Sequence, residues 1–175
     1  MTLADVKRRD AEILMELRLL VDSTEPIDGD LNLVLGSVRH RMAGAIELAG
    51  IDLHWRVQEL PNIPSLSSRD VLSMKLILME ALSNVLHHSR AKNVTLSAAV
   101  DEAKAAIIIV VADDGRGYDA SNRAGRGIAN MNMRIRKIST GGTLAIDAVP
   151  GGGTTVRIEL KVPKAGQTAL PDRAA

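Results

Sequence analysis

The spacing of hydrophobic positions changes several times along the chain, and each change marks an element. From Leu3 to Asp22 apolar residues recur at helical intervals, at Val6, Ile13, Leu14, Leu17, Leu20 and Val21. The breakers and caps of Ser23-Thr24-Glu25-Pro26-Ile27-Asp28-Gly29 then predict a linker. A second helix is predicted from about Asp30, with Leu31, Val34, Leu35, Val38, Met42, Ala45 and Ile46 on one face and Gly50 as its stop. Ile51 to Val57 alternates with period two, which predicts a strand with one wet face. Beyond Pro61 and Pro64, Ser67 followed by Asp70 starts a long helix that runs to about Ser89. Two strands follow, near 93–100 and 105–112. The second holds Ile107-Ile108-Ile109-Val110-Val111, a continuous β-branched run that predicts a central strand covered on both faces. The polar, glycine-bearing stretch from Asp113 to Arg126 has no core of its own. A helix at about 127–138 turns Ile128, Met131, Ile135 and Ile138 inward, and strands near 143–148 and 154–162 are joined by Pro150-Gly151-Gly152-Gly153. The tail from Lys164 has no periodicity and reads as disordered. The expected architecture is an α/β (α+β) two-layer sandwich, a mixed sheet with helices on one face.

Composition narrows the functions open to such a fold. A length of 175 residues suits one domain with a sizeable core, here 28–163, preceded by a helix and linker over 1–27 and followed by the tail 164–175. Hydrophobic residues make up 46%, yet there is no Phe, one Trp (Trp55) and one Tyr (Tyr118). The core must therefore be aliphatic, and single-stranded nucleic acid would find no stacking platforms. A net charge of +1 from 22 basic and 21 acidic residues is no polyanion-binding signature. The absence of cysteine excludes disulfide and thiolate chemistry. No apolar run approaches the roughly 20 residues that span a bilayer, so the chain is expected to be soluble.

The helix beginning at Ser67 carries the first chemical signal. Between Val71 and Leu86 it is almost wholly aliphatic, so most of its surface should be buried. Glu80, Asn84, His87 and His88 nevertheless fall at i, i+4, i+7 and i+8, on one stripe. Such a stripe is either the solvent side of the helix or a site. Asn is a poor helix former, and a solvent face more naturally carries Lys, Glu or Gln. An Asn carbonyl is a hard oxygen ligand suited to Mg²⁺, imidazoles donate to phosphate, and a carboxylate one turn back orients or deprotonates a nucleophile. Zinc held by His87 and His88 together is disfavoured, because adjacent helical residues diverge by about 100°.

Two glycine-bearing segments supply the second signal. Asp113-Asp114-Gly115-Arg116-Gly117 directly follows the central strand, the usual position of a ligand crevice in such sheets. A carboxylate at Asp113 would accept from the exocyclic amino group of adenine and repel the carbonyl of guanine, while Gly115 and Gly117 permit close approach. Asp-Gly alone is equally an ordinary turn. Gly125-Arg126-Gly127-Ile128 opens the next helix, where free amides bind phosphate oxygens. Arg116, Arg123 and Arg126 add positive charge there. A lone Gly-x-Gly is weak evidence, and no Gly-x-x-x-x-Gly-Lys-Ser/Thr loop is present.

Order and spacing decide what the separate pieces leave open. Glu80-Ala-Leu-Ser-Asn84-Val-Leu-His87-His88-Ser89, Asp113-Asp114-Gly115-Arg116-Gly117, Gly125-Arg126-Gly127-Ile128-Ala129-Asn130-Met131 and Gly151-Gly152-Gly153-Thr154 resemble, in sequence order, the four signature boxes of the Bergerat-fold (GHKL) ATPases. The match extends over about Ile51 to Pro163. The wording Glu-Ala-Leu-x-Asn and Gly-x-Gly-Ile-x-Asn-Met is similar to that of the nitrate-sensor (NarX-like) branch of the sensor histidine kinases. The resemblance implies a Bergerat ATP-binding fold, ATP and Mg²⁺ as ligands, Leu17 to Gly50 as the join to a dimerisation region, and 1–27 as the end of a dimerisation helix with its linker. It implies that Asn84 coordinates Mg²⁺, that Asp113 holds the adenine amino group and that Gly115 and Gly117 line the base pocket. Gly125 and Gly127 would bound a lid over the phosphates, together with Arg126 and Ile128. Thr154 would support Asp113 through a hydrogen bond or water, and Glu80 would position or activate the attacking group.

What the resemblance implies for function is ATP-dependent phosphorylation of a histidine on a dimerisation helix, in two-component signalling with a response regulator, a DNA-binding one in this branch. The chain itself would touch neither nucleic acid nor membrane. Its place would be the cytoplasm, with an inner-membrane anchor on the parent kinase also compatible. Two departures stand out. The family usually has Lys or Arg where His87 stands, and none of His40, His54, His87 or His88 is followed by the acidic residue of a phosphoacceptor motif. The acceptor is therefore expected upstream of this chain. Two alternatives share the fold: an anti-sigma factor serine kinase, disfavoured by the helix over Leu3 to Asp22, and a degenerate, non-catalytic ATPase-like binding module, disfavoured by intact Asn84, Asp113 and glycines.

Overall fold

A computed structural model describes residues 29–117 and 126–162. The helix and linker expected over 1–27, the segment holding Gly125, and the tail lie outside the described residues. Helix α1 spans Leu31–Leu48 and starts on Asp30, whose carboxylate accepts from the amides of Asn32 and Leu33 at 2.9 and 3.2 Å. Its inner face is Leu31, Val34, Leu35, Val38, Met42 and Ile46, all buried, whereas Ala45, expected inside, is exposed. Gly50, at φ +74°, turns the chain into strand β1, Asp52–Val57. Asn32 clamps the following loop, giving its side-chain amide to the Leu60 carbonyl at 2.8 Å and accepting from the Leu60 amide at 2.9 Å.

Helix α2 spans Ser68–Asn84 and opens with a reciprocal cap between Ser67 and Asp70. Val71, Met74, Ile77, Leu78, Ala81 and Leu82 are buried along it, as the aliphatic run predicts. The α-helical pitch ends at Asn84, however. Val85–Ser89 forms one π-helical turn, not the continued α-helix expected to Ser89, and Arg90 leaves it in a left-handed conformation (φ 56°). Strands β2 (Asn93–Asp101) and β3 (Ala106–Asp113) follow, then α3 (Arg126–Ile135), β4 (Gly142–Val149) and β5 (Gly153–Lys161).

The five strands are ordered β1-β2-β3-β5-β4, with β1 and β2 parallel and every other pair antiparallel. Strand β3 is central, as its β-branched run predicts, but the two faces are not covered alike. Ile107, Ile109 and Val111 are buried, while Ile108 and Val110 are only half-buried. All three described helices pack on the first of these faces, with α1 against β1, α2 against β3 and α3 against β4. Register places Asp113 level with Val94 on one side and Thr154 on the other. The π turn, the loop after β3 and the β4–β5 turn therefore meet at one end of the sheet.

Candidate nucleotide site

Asp113 ends β3 half-buried, and its carboxylate is fixed by main-chain donors. The Gly115 amide reaches Oδ1 at 2.9 Å, and the Thr154 amide donates as well. Burial raises its pKa above the ordinary carboxylate value; these two amides oppose the rise and neighbouring Asp114 adds to it. The support that Thr154 gives is thus its backbone amide. An acceptor held by one amide of its own loop and one of β5, and half-buried, suits an exocyclic amino group as partner.

Asp114 behaves in the opposite way. One oxygen accepts from the amides of Lys92 and Asn93 at 2.8 and 2.9 Å, and the other from the Asn93 side chain at 2.8 Å. Hydrogen bonds from the Asn93 side chain and backbone, with that from Lys92, hold its pKa at about 2. His54 closes the network at 3.2 Å from Asn93 Oδ1. The two aspartates of one sequence box therefore differ in role: Asp114 fastens the loop to β2, and Asp113 is held half-buried at the end of β3 by the Gly115 and Thr154 amides.

The glycines are where backbone meets backbone. A Cβ on Gly115 would overlap the Ser89 carbonyl, and one on Gly117 (φ +68°) the Val149 carbonyl. One on Gly153 (φ +85°) would overlap the Asp113 carbonyl. The Gly151 amide donates to the Arg116 carbonyl at 2.7 Å, which seats the β4–β5 turn on the loop after β3. On the other side, the Arg116 amide donates to Ser89 O at 2.8 Å and Arg116 Nε to His88 O at 2.9 Å. Arg116 was expected to add positive charge near phosphates; its guanidinium is instead engaged on a main-chain carbonyl.

The polar stripe is rearranged by the π turn. Glu80 and Asn84 keep α-helical spacing, whereas His87 and His88 ride on the wider turn and are both exposed, their rings 6.3 Å apart. Ser89 is only 7% exposed; its hydroxyl donates to Val85 O at 2.7 Å and accepts from the Ala91 amide at 2.9 Å. Asn84 is half-buried, and its carboxamide makes no hydrogen bond among the described residues. One turn earlier, the Glu80 carboxylate lies against Gly127 in the first turn of α3, where a Cβ would overlap it. A carboxylate at a helix start is favoured by the unsatisfied amides there.

The structure thus gathers Asp113, Gly115, Gly117 and Thr154 with the π turn bearing His87 and His88. It gathers Glu80 with Gly127 separately, and Asn84 lies between the two groups on α2. Arg126 opens α3, and Ile128 is half-buried on it, its carbonyl taken by the Asn132 side chain at 3.0 Å. Asn84 is suited to Mg²⁺ by its unengaged amide oxygen; among the described residues no three His, Asp or Glu side chains form a cage. A metal there would complete its shell with phosphate oxygens and water. The roles of Ser89, Asn93 and Asp114 escaped sequence reasoning: Ser89 bonds locally within and just after a turn whose pitch the sequence does not announce, and Asn93 and Asp114 meet across 21 residues, which no periodicity records.

Comparison with known proteins finds similarity in sequence and in fold. Over 87 residues the chain is 32% identical to the sensor protein VraS of Staphylococcus saprophyticus, an alignment of 50% of this chain and 24% of that protein. It is 33% identical over 115 residues to the sensor histidine kinase LiaS of Bacillus subtilis, covering 65% of this chain and 29% of LiaS. The histidine kinase AdeS of Acinetobacter baumannii has the same fold, with a TM-score of 0.65 at 16% identity over 91% of this chain and 80% of that one. The chain spans about a quarter of the length of these curated relatives. Residues 69–164 match the family of histidine kinase-, DNA gyrase B- and HSP90-like ATPases, and the chain belongs to that family.

Proposed function

We propose that this chain is the ATP-binding catalytic part of a sensor histidine kinase, of the nitrate-sensor branch on the wording of its first and third boxes. The observation that carries this reading is the half-buried Asp113 carboxylate, held by the Gly115 and Thr154 amides and stapled through Arg116 to the turn that follows Asn84. Base and phosphates are thereby read by two segments in fixed register. Asp113 accepts from the adenine amino group, and guanine, with a carbonyl at that place, is repelled. Asn84 offers its amide oxygen to Mg²⁺, which when bound neutralises phosphate charge. His87, His88 and the α3 amides at Gly127 and Ile128 receive phosphate oxygens, with Gly125 and Arg126 flanking them.

The transfer breaks the bond between the γ-phosphorus and the β–γ bridging oxygen and forms a phosphorus–nitrogen bond on an acceptor imidazole, leaving ADP. Positioning and charge neutralisation supply the catalysis. Glu80 orients the attacking imidazole or takes its proton. The acceptor lies on a dimerisation helix and is none of His40, His54, His87 and His88; the phosphate then passes to a response regulator, DNA-binding in this branch. At position 87 a histidine stands in place of the usual Lys or Arg. The domain works in the cytoplasm, and an anchored parent is compatible with it; among the described residues no helix is long and apolar enough to cross a membrane.

Calorimetric titration with ATP, ADP and GTP, with and without Mg²⁺, tests the reading. Adenine nucleotides bind and GTP does not. Asp113→Asn removes the selectivity, at a loss of about tenfold or more, and Asn84→Ala removes the Mg²⁺ dependence. The chain alone does not accumulate phosphohistidine from labelled ATP. A folded wild type that binds no nucleotide would sink the catalytic reading and leave a degenerate binding module.

A further inference from the structure

The recognition elements for base and for phosphates lie on segments far apart in sequence, and one side chain spans them. Arg116 stands between the two glycines of the loop after β3. Its amide donates to Ser89 O at 2.8 Å and its Nε to His88 O at 2.9 Å, so both bonds land on consecutive carbonyls of the π turn. A π turn leaves carbonyls less regularly satisfied than an α-helix and is an adjustable element, often found at functional sites. The turn begins immediately after Asn84 and bears His87 and His88. The loop begins with Asp113 and is immobilised on its far side by Asp114 on β2 and by the Gly151 amide on Arg116 O at 2.7 Å. The loop is thus held on its far side, and the Arg116 side chain adds a second bond from it to the turn.

We infer that Arg116 is a positioning residue which, by donating to the His88 carbonyl, sets the π turn so that Asn84, His87 and His88 engage the metal and phosphates of a nucleotide whose base is already held at Asp113. The role rests on the nucleotide-binding reading above and deepens it. It concerns coupling between the two halves of the ligand, not the affinity of either half alone, and it comes from the hydrogen bond and not from the cationic charge.

Substitutions at Arg116 separate these alternatives. Arg116→Ala removes bond and charge together. Arg116→Gln keeps a donor, because its amide nitrogen stands four bonds from Cα, as Nε does, but carries no charge. Adenosine and Mg-ATP are titrated into wild type and both variants, with thermal melting as a check of folding. In Arg116→Ala the adenosine Kd stays within about twofold of wild type while the Mg-ATP Kd rises roughly tenfold, the weight of one hydrogen bond. Arg116→Gln recovers most of that loss. Three results overturn the inference: equal weakening toward both ligands in Arg116→Ala, no weakening toward either, or an Arg116→Gln variant as impaired as Arg116→Ala. A folded wild type that binds neither ligand overturns the nucleotide reading itself, a result that no variant is needed to recognise.

Discussion

Asp113 and Asp114 are chain neighbours whose carboxylates titrate in opposite directions. Asp113 is pushed up by burial, against which the Gly115 and Thr154 amides act, while Asp114 is held at about 2 by Asn93 and Lys92. A carboxylate whose folded pKa is raised favours the folded state more as pH falls through that value, whereas the adenine contact proposed for Asp113 needs the ionised form. As pH is lowered from neutrality, adenosine affinity should therefore fall before ordinary carboxylates titrate, with no matching loss of stability from Asp113. Calorimetry of adenosine binding across a pH series checks this; affinity that stays flat into the ordinary carboxylate range refutes it. The sequence alone pointed to Asp113 as the acceptor through its place after a β-branched strand. It was silent on Asp114, whose partners are 21 and 22 residues away and are mostly main chain.

Elements meet through capped ends as well as through buried faces. Asp70 is 2% exposed, takes the Ser67 amide and hydroxyl at 3.0 and 2.8 Å, and also takes the Ser139 amide and hydroxyl at 3.1 and 2.5 Å. It ties the start of α2 to the connection between α3 and β4. Burial pushes its pKa up, but the bonds from Ser139 and Ser67 outweigh burial and leave it lowered. Its stabilisation is therefore complete above the unfolded carboxylate value and is lost as pH falls through the lower folded one. Asp70→Ala should cost about 2–4 kcal/mol in urea unfolding at neutral pH, as a lost cap plus buried donors left unpaired. A cost below about 0.5 kcal/mol, the range of ordinary surface substitutions, would show the junction to be incidental. Gly153→Ala meets both a left-handed φ of +85° and the Asp113 carbonyl. It should cost about 1–3 kcal/mol and weaken adenosine binding too; a stable variant with unchanged Kd contradicts the close approach. The capping box was legible because its partners are three residues apart. The Ser139 half was not, nor was the π turn, since nothing in an aliphatic run announces where the pitch widens.

At the scale of the whole molecule, the aliphatic core lies on one side of a five-stranded sheet whose middle strand is flanked by antiparallel partners. Amide exchange should be slowest in β3 and faster in the edge strands β1 and β4, because opening the centre requires disrupting both neighbours. Exchange in β3 as fast as in β4 would mean that the sheet does not open from its edges. Strand order was not written in the hydrophobic pattern, although the elements were, because pairing depends on contacts between distant segments such as Asp113 with Thr154. The nucleotide end of the sheet is bordered largely by main chain: the carbonyls of Ser89, Asp113 and Val149 press on Gly115, Gly153 and Gly117, and the Gly151 amide meets Arg116 O. Such groups are present whatever side chain a codon specifies. If ATP binds there as proposed, a compound seated on Asp113 and this backbone rim would leave few routes to resistance, since most single substitutions able to dislodge it would also dislodge ATP.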